Sequence, residues 1–165
     1  MTKVAIITVS DSRTLKSDKS GALIAQAFRG NDAKVLSREV VKDDRVDIQA
    51  AYLKAELAGP DLIITNGGTG IARRDVTISA LRPLFLRVIP GFGEEFRQLS
   101  YEEIGPRALA SGALAAVNYR HQLTYCLPGS TNACQTALDS LIIPDYQHLL
   151  FELSEHRKEV HHHVN

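Results

Sequence analysis

The sequence predicts a single-domain α/β protein whose central sheet is parallel and covered by helices on both faces. Three observations lead to this fold class. Strand-like and helix-like segments alternate along the first half of the chain, which is the pattern of βαβ units. The strand-like segments are almost continuously apolar, as expected where both faces of a sheet are covered. Polar segments bearing glycine or aspartate follow them, as in sheets that bind ligands at their carboxyl edge.

The composition fits one globular domain. The chain has 165 residues, of which 44% are hydrophobic and 23% charged, so it can bury a core without a disulfide scaffold. Lysine plus arginine equals aspartate plus glutamate, at 19 each, so no global field favours nucleic acid or a membrane surface. No apolar segment approaches the length of a spanning helix, and no signal peptide is visible. We therefore expect a soluble cytoplasmic protein in which Cys126 and Cys134 are buried free thiols.

The first half of the chain is predicted to contain three strands, each followed by a helix. Compact β-branched or apolar runs predict the strands, which are 3–9 ("KVAIITV"), 33–41 ("AKVLSREVV") and 61–65 ("DLIIT"). Apolar residues at helical spacing and flanking capping residues predict the helices, which are 20–31, 42–59 and 77–85. Asp43 or Asp44 begins the second helix, and Pro83 breaks or kinks the third near its end.

The second half is predicted to be mostly helical. Residues 89–105 indicate a loop that enters a short helix, and 106–117 ("PRALASGALAAV") indicate a helix of small residues. The last strand lies within 122–130 ("QLTYCLPGS") and precedes two helices, over 131–144 and 145–156. We expect one domain over residues 1–155 and a flexible, histidine-rich tail over 156–165.

Polar segments that follow four strands are expected to meet at one edge of the sheet, because the carboxyl ends of parallel strands share that edge. The first strand leads to "SDSR" and "DKSG", the second to Asp43, the third to "NGGTGIARRD" and the last to "PGS". The candidate substrate-binding residues in these segments are Ser10, Asp11, Arg13, Ser20, Gly21, Gly67, Gly68, Thr69, Gly70, Arg73, Arg74, Thr77, Pro128, Gly129 and Ser130.

The glycine-rich segment has the composition of an anion-binding loop. Gly67, Gly68 and Gly70 allow backbone N–H groups to approach a ligand, and the helix that follows offers further free N–H groups. Arg73 and Arg74 suit contacts to phosphate. The segment is not a P-loop, since no lysine follows the glycines, and it lacks the third glycine of the dinucleotide-binding fingerprint.

Asp75 would repel a bare phosphate, so its place in this loop indicates an intervening cation. A Mg²⁺ ion held by one or two carboxylates, water and phosphate oxygens is such an arrangement, and Asp43 in the next loop is the natural second carboxylate. Simpler roles compete with this interpretation. Asp43 and Asp75 also suit helix N-caps, Ser10 and Asp11 suit an Asx-type turn, and "PGS" suits a plain turn with a capping serine.

The chain resembles the MoaB/Mog family of molybdenum cofactor biosynthesis proteins. The resemblance rests on "GGTGIARRDVT" (67–77), "PGFGEEFRQLSYEEIG" (90–105) and "LPGSTNA" (127–133), with "VSDSR" and "DKSG" earlier in the chain. It implies a three-layer α/β/α fold with a mostly parallel central sheet, and a homo-oligomer in the cytoplasm. Because "SYEEIG" and "PGST" look more like MoaB than like Mog, the resemblance favours a hexamer over a trimer.

The same resemblance implies an activity, which is the Mg²⁺-dependent transfer of AMP from ATP to the terminal phosphate of molybdopterin with release of pyrophosphate. Asp43 and Asp75 match the family's catalytic and metal-binding carboxylates. The family often has Pro-Asp where this chain has Lys42-Asp43, which leaves Asp44 as an alternative. The retained "RRDVT" favours an active member.

Two other functions stay open. A molybdopterin-binding or carrier protein without chemistry would use the same loops but would not need the two aspartates. The related CinA-type domains use a similar fold to hydrolyse nucleotide pyrophosphates, but they tend to show GGLG where this chain has Thr69.

Overall fold

A computed structural model describes residues 1–162 of the chain and the side chains of residues 1–154. The predicted tail over 156–165 lies outside the fully described residues. The strands are β1 (Thr2–Val9), β2 (Ala33–Val41), β3 (Leu62–Asn66), β4 (Phe85–Ile89), β5 (Leu114–Asn118) and β6 (Leu123–Leu127). The helices are α1 (Lys19–Arg29), α2 (Arg45–Leu57), α3 (Thr77–Leu81), α4 (Pro90–Ile104), α5 (Thr131–Ala137) and α6 (Tyr146–His162).

The six strands form one sheet in the order β2-β1-β3-β6-β5-β4. β1 pairs in parallel with β2 and β3, and β3 pairs in parallel with β6. β5 is antiparallel to both of its neighbours, β4 and β6. The sheet is therefore mostly parallel, and the predicted α/β fold class is confirmed.

Two hydrophobic cores cover the two faces of the sheet. Alternate residues of β1 enter different cores, because successive side chains of a strand point to opposite faces. Val4 and Ile6 pack with α1, α4, α5 and the start of α6. Ala5 and Ile7 pack with α2 and α3. This arrangement makes three layers, α/β/α, as the sequence resemblance implied.

The region between residues 85 and 118 differs from the sequence prediction. The predicted short helix is the fifteen-residue α4, and a strand that the sequence did not indicate, β4, precedes it. The predicted helix over 106–117 is wrong. Its first part forms 3₁₀ turns over Gly105–Ala110, and its second part enters β5, in which every residue is buried. Alanine favours helix locally, but this segment pairs with β4 on one side and β6 on the other, and that pairing overrides the propensity.

Other local predictions agree with the structure. α3 ends at Leu81, and a 3₁₀ turn over Arg82–Leu84 contains Pro83, which confirms the predicted break. Cys126 and Cys134 are buried and free. Among the helices of the described residues, none has the length and apolar character needed to cross a membrane.

Candidate functional site

The glycine-rich loop lies at the carboxyl edge of the sheet, between the ends of β1 and β6. Gly67 follows β3 directly and donates its N–H to the carbonyl of Leu127 (2.9 Å). Its φ is +96°, and a Cβ at this position would collide with the carbonyl oxygen of Val9. Only glycine fits such a backbone next to such a neighbour. The sequence prediction that these loops converge is therefore correct for β1, β3 and β6.

Thr77 fixes the far end of the glycine-rich loop. It is fully buried, its hydroxyl donates to the carbonyl of Gly67 (2.9 Å), and its N–H donates to the carbonyl of Gly68 (3.0 Å). Thr77 thus shapes the loop, and its burial leaves no surface for a substrate. α3 has five residues, so it is shorter than the helix predicted over 77–85.

Gly112 helps to position the glycine-rich loop, and the sequence prediction did not identify it. It lies just before β5, and a Cβ there would collide with the carbonyl oxygen of Thr69. The close approach of these two backbones sets the position of the glycine-rich loop from the side of β5. The sequence prediction placed Gly112 in a helix over 106–117, where no contact with the glycine-rich loop was expected. Its position beside Thr69 follows from the strand β5 that the structure shows instead.

Asp43 and Asp44 have different roles in the structure. Asp44 caps α2, because its Oδ1 accepts hydrogen bonds from the N–H groups of Val46 (2.9 Å) and Asp47 (3.0 Å). No hydrogen bond from any described residue reaches the carboxylate of Asp43. Its Oδ1 lies 3.1 Å from the position that a Cβ on Gly68 would take. The helix-cap role therefore belongs to Asp44, and Asp43 faces the glycine-rich loop.

Asp75 is also not a helix cap. α3 begins after Val76 without a side-chain cap. Oδ2 of Asp75 accepts the N–H of Ala72 (2.9 Å), which closes the turn that carries both arginines. The same oxygen lies 2.8 Å from the position of a Cβ on Gly70. Both predicted metal-binding carboxylates thus lie against the glycine-rich loop.

The pKa of Asp43 is raised above its ordinary value, first by burial and then by the charge of Asp75. Two half-buried carboxylates that repel each other favour a cation between them. No group of three or more histidine, cysteine, aspartate or glutamate residues suited to a metal occurs within the described part of the chain.

The raised pKa leads to a testable effect on stability. In a chelator at pH 7, Asp43→Asn is expected to melt at a slightly higher temperature than wild type. The folded state binds the proton of Asp43 more tightly than the unfolded state does, so stability falls as the pH rises from the unfolded pKa to the raised folded pKa and stays at the lower level above it. Asparagine carries no charge and avoids this loss. Calorimetry between pH 4 and 8, with Asp44→Asn as control, should show a gain that shrinks toward low pH. Equal melting temperatures at pH 7 would contradict the interpretation.

A cleft of about 590 Å³ opens beside the glycine-rich loop. The described residues that line it are Gly68, Thr69, Gly70, Asp75, Ile78, Ser79, Arg82 and Pro83. Arg82 is a cation that the sequence did not single out. The predicted arginines Arg73 and Arg74 are exposed outside this lining, and Arg74 forms an ion pair with Asp11.

Ser10 and Asp11 organise the loop after β1. The hydroxyl oxygen of Ser10 accepts the N–H of Arg13 (3.1 Å), which makes a serine turn. Asp11 makes contacts between loops, because its Oδ1 accepts the N–H of Asp43 (3.1 Å) and its other oxygen pairs with Arg74. Asp11 thereby connects the loops that follow β1, β2 and β3.

Arg13 joins this loop to the "PGS" turn. Its Nη1 donates to the hydroxyl oxygen of Ser20 (2.8 Å) and to the carbonyl of Gly129 (3.1 Å). Ser130 caps α5 through the N–H of Ala133 (3.2 Å). Ser20 and Gly21 are buried; Ser20 accepts the hydrogen bond from Arg13, whereas the N–H of Gly21 donates to Asp18. Pro128 and Gly129 precede the cap and lie at the same edge.

The chain is similar to known proteins over nearly its whole length. A family model described as a probable molybdopterin binding domain matches residues 5–148. Molybdenum cofactor biosynthesis protein B of Staphylococcus aureus (strain COL) is 45% identical over 156 residues, covering 93% of this chain and 92% of that protein.

Solved structures agree over nearly the whole chain. The tungsten cofactor synthesizing protein MoaB from Pyrococcus furiosus is 35% identical with a TM-score of 0.84, covering 93% of this chain and 97% of the other. The molybdopterin biosynthesis Mog protein from Mycobacterium ulcerans is 28% identical with a TM-score of 0.84, covering 93% and 99%.

Proposed function

Since the chain belongs to the MoaB/Mog family of molybdenum cofactor biosynthesis proteins, and so has a role in making that cofactor, we propose that it is a molybdopterin adenylyltransferase. It transfers AMP from ATP to the terminal phosphate of molybdopterin and releases pyrophosphate. One observation carries this proposal. Asp43 and Asp75 lie against the same glycine-rich loop, and burial together with the charge of Asp75 raises the pKa of Asp43. A carrier protein has no use for such a pair.

The two carboxylates fit a Mg²⁺ ion. The carboxylate of Asp43 accepts no hydrogen bond from the described residues, and that of Asp75 accepts one, through Oδ2. Oxygens therefore remain for a divalent cation. When bound, Mg²⁺ neutralises charge on the phosphates and on the leaving pyrophosphate. Asp43 and Asp75 hold it, and the glycine loop keeps both carboxylates close.

The reaction needs alignment more than proton transfer. A terminal phosphate oxygen of molybdopterin forms a bond to the α-phosphorus of ATP, and the bond from that phosphorus to the oxygen bridging it to the β-phosphorus breaks. The electron pair of that bond leaves with pyrophosphate. Because the attacking phosphate is already ionised at neutral pH, no strong general base is required. The chain contributes the positions of the two anionic substrates.

Donors at the sheet edge hold the phosphates. N–H groups of the glycine-rich loop and the guanidinium groups of Arg13, Arg73 and Arg74 stabilise negative charge, and Arg82 adds a cation in the cleft beside Asp75. Ser10, Asp11 and the turn Pro128–Ser130 bind the pterin or adenine edges. We propose a homo-oligomer in the cytoplasm, a hexamer before a trimer, with residues 1–155 as the functional domain.

The test combines purified protein with molybdopterin, ATP and Mg²⁺ and measures adenylylated molybdopterin and pyrophosphate. Both products are expected, and both are expected to disappear in a chelator. Binding of molybdopterin without product would instead support the carrier function. Release of AMP in the absence of molybdopterin would support pyrophosphate hydrolysis.

A further inference from the structure

Buried hydrogen bonds connect Arg13 at the candidate site to Asp18 beneath it. Arg13 Nη1 donates to Ser20 Oγ (2.8 Å), and Ser20 donates to Asn66 Oδ1 (2.8 Å). Asn66 Nδ2 donates to Thr8 Oγ1 (2.9 Å), and Thr8 donates to Asp18 Oδ2 (2.9 Å). Both hydroxyls accept one hydrogen bond and donate one along this path. Ser20 Oγ also lies 3.4 Å from Asp18 Oδ1, but its bond to Asn66 is much shorter. Because a hydroxyl has one proton to donate, the relay runs from Arg13 through Asn66 and Thr8 to Asp18.

The interior members of the relay cannot touch a ligand. Thr8, Asp18, Ser20 and Asn66 are each at most 1% exposed. Only Arg13, which is half-buried, reaches the candidate site. Any effect of the interior residues on substrate must therefore pass through Arg13 and the loops it joins.

The far end of the relay is firmly anchored. Asp18 pairs with Arg38 Nε (3.3 Å) and caps α1 through the N–H of Gly21 (2.9 Å). Nη2 of Arg38 also donates to the carbonyls of Leu15 (2.8 Å) and Asp18 (3.1 Å). Away from water, hydrogen bonds in such a chain polarise and strengthen one another. The anchor therefore extends from β2, at the sheet edge, to the loop that carries Arg13.

We propose that Thr8 is a positioning residue for Arg13. Its hydroxyl completes the relay that fixes Nη1 of Arg13 against Ser20 and Gly129, before substrate binds. Among the described residues, nothing accepts from Nε or Nη2 of Arg13, so these donors are available to a phosphate group. The relay spares the binding step the entropy of ordering a long side chain. Identifying the anion as a phosphate of ATP or molybdopterin rests on the proposed function, whereas the relay itself does not.

Two substitutions at position 8 separate the relay from packing. Thr8→Val keeps the volume and removes the hydroxyl, whereas Thr8→Ser keeps the hydroxyl and removes a methyl group. We expect Thr8→Val to raise the KM of the substrate whose phosphate Arg13 contacts, ATP or molybdopterin, by about tenfold. The change in kcat should be smaller. Thr8→Ser is expected to retain the wild-type KM. A purely packing role predicts the opposite order, because serine leaves the larger void.

The neighbouring strand offers a matched control. Thr65 on β3 is fully buried, and its hydroxyl has no nitrogen or oxygen partner among the described residues and lies beside the Cys126 thiol. Thr65→Val removes the same chemical group without breaking the relay. Its KM values are expected to equal those of wild type.

Hydrogen–deuterium exchange of the free protein tests the relay without any activity. Thr8→Val is expected to increase exchange in residues 10–17 and 127–131, whereas Thr8→Ser and Thr65→Val are not. If wild type makes no product, the proposed function fails, and this exchange experiment still decides the relay. If wild type makes product but Thr8→Val matches it in KM and exchange, the relay is overturned and the function stands. Equal losses in Thr8→Val and Thr8→Ser would also overturn it.

Discussion

Replacing Asp75 by asparagine is expected to lower kcat/KM for adenylyl transfer by about a thousandfold or more, because one of the two carboxylates proposed to bind Mg²⁺ is lost. The fold should survive. Asparagine has the same shape, and its Oδ1 can still accept the N–H of Ala72 that closes the turn. Asp75 is also the one acidic residue among the described residues that line the cleft. The measurement is pyrophosphate release with saturating Mg²⁺, and turnover equal to wild type would refute the proposed role.

Asp43 and Asp44 provide a matched pair for the second carboxylate. Asp43→Asn is expected to lose activity as Asp75→Asn does. Asp44→Asn should keep its activity, because the side chain of Asp44 caps α2 and asparagine is about as good a helix cap as aspartate. The reverse outcome would assign the catalytic role to Asp44.

Metal binding gives a readout that does not depend on turnover. At ten times its dissociation constant, Mg²⁺ should stabilise the wild-type fold by about 1.4 kcal/mol. Asp43→Asn and Asp75→Asn should gain less at the same concentration, and Asp44→Asn should gain as much as wild type. Thermal unfolding with and without Mg²⁺ measures the difference.

The sequence predicted the secondary-structure elements whose own residues carry a clear local pattern. The β-branched runs of β1 and β2 and the apolar run of β3 carry their own signal, and their alternation with helices determines the fold class. β5 carries the opposite local signal. Its segment "LAAVN" is alanine-rich and becomes a strand only because β4 and β6 lie on either side of it. No local pattern contains that information.

Some features of the candidate site could also be predicted from the sequence, and others could not. Topology alone predicted that the loops after β1, β2, β3 and β6 meet, since parallel strands share their carboxyl edge. The sequence did not distinguish Asp43 from Asp44, because both suit a helix cap, and only the hydrogen bonds to Val46 and Asp47 decide between them. Thr8 and Gly112 act through contacts with residues far along the chain, which no motif encodes.

Gly67→Ala is expected to destabilise the fold by about 3 kcal/mol or more. Its φ of +96° strains any side chain, and the new Cβ would collide with the carbonyl oxygen of Val9. The collision is with backbone at the end of β1, so no side-chain rotation can relieve it. Urea denaturation measures the free energy of unfolding.

Gly91→Ala is the matched control for this substitution. Gly91 lies in the first turn of α4, and a Cβ there would meet no heavy atom within 4 Å. Alanine should stabilise this position by up to about 1 kcal/mol, since it restricts the unfolded chain and favours helix. If Gly67→Ala changes stability by no more than about 0.5 kcal/mol, as surface substitutions do, the close packing of the loop against β1 is wrong. Where Gly67→Ala is still folded, its kcat/KM should also fall. The displaced loop would no longer hold Asp43 and Asp75 in the positions that the proposed transfer requires.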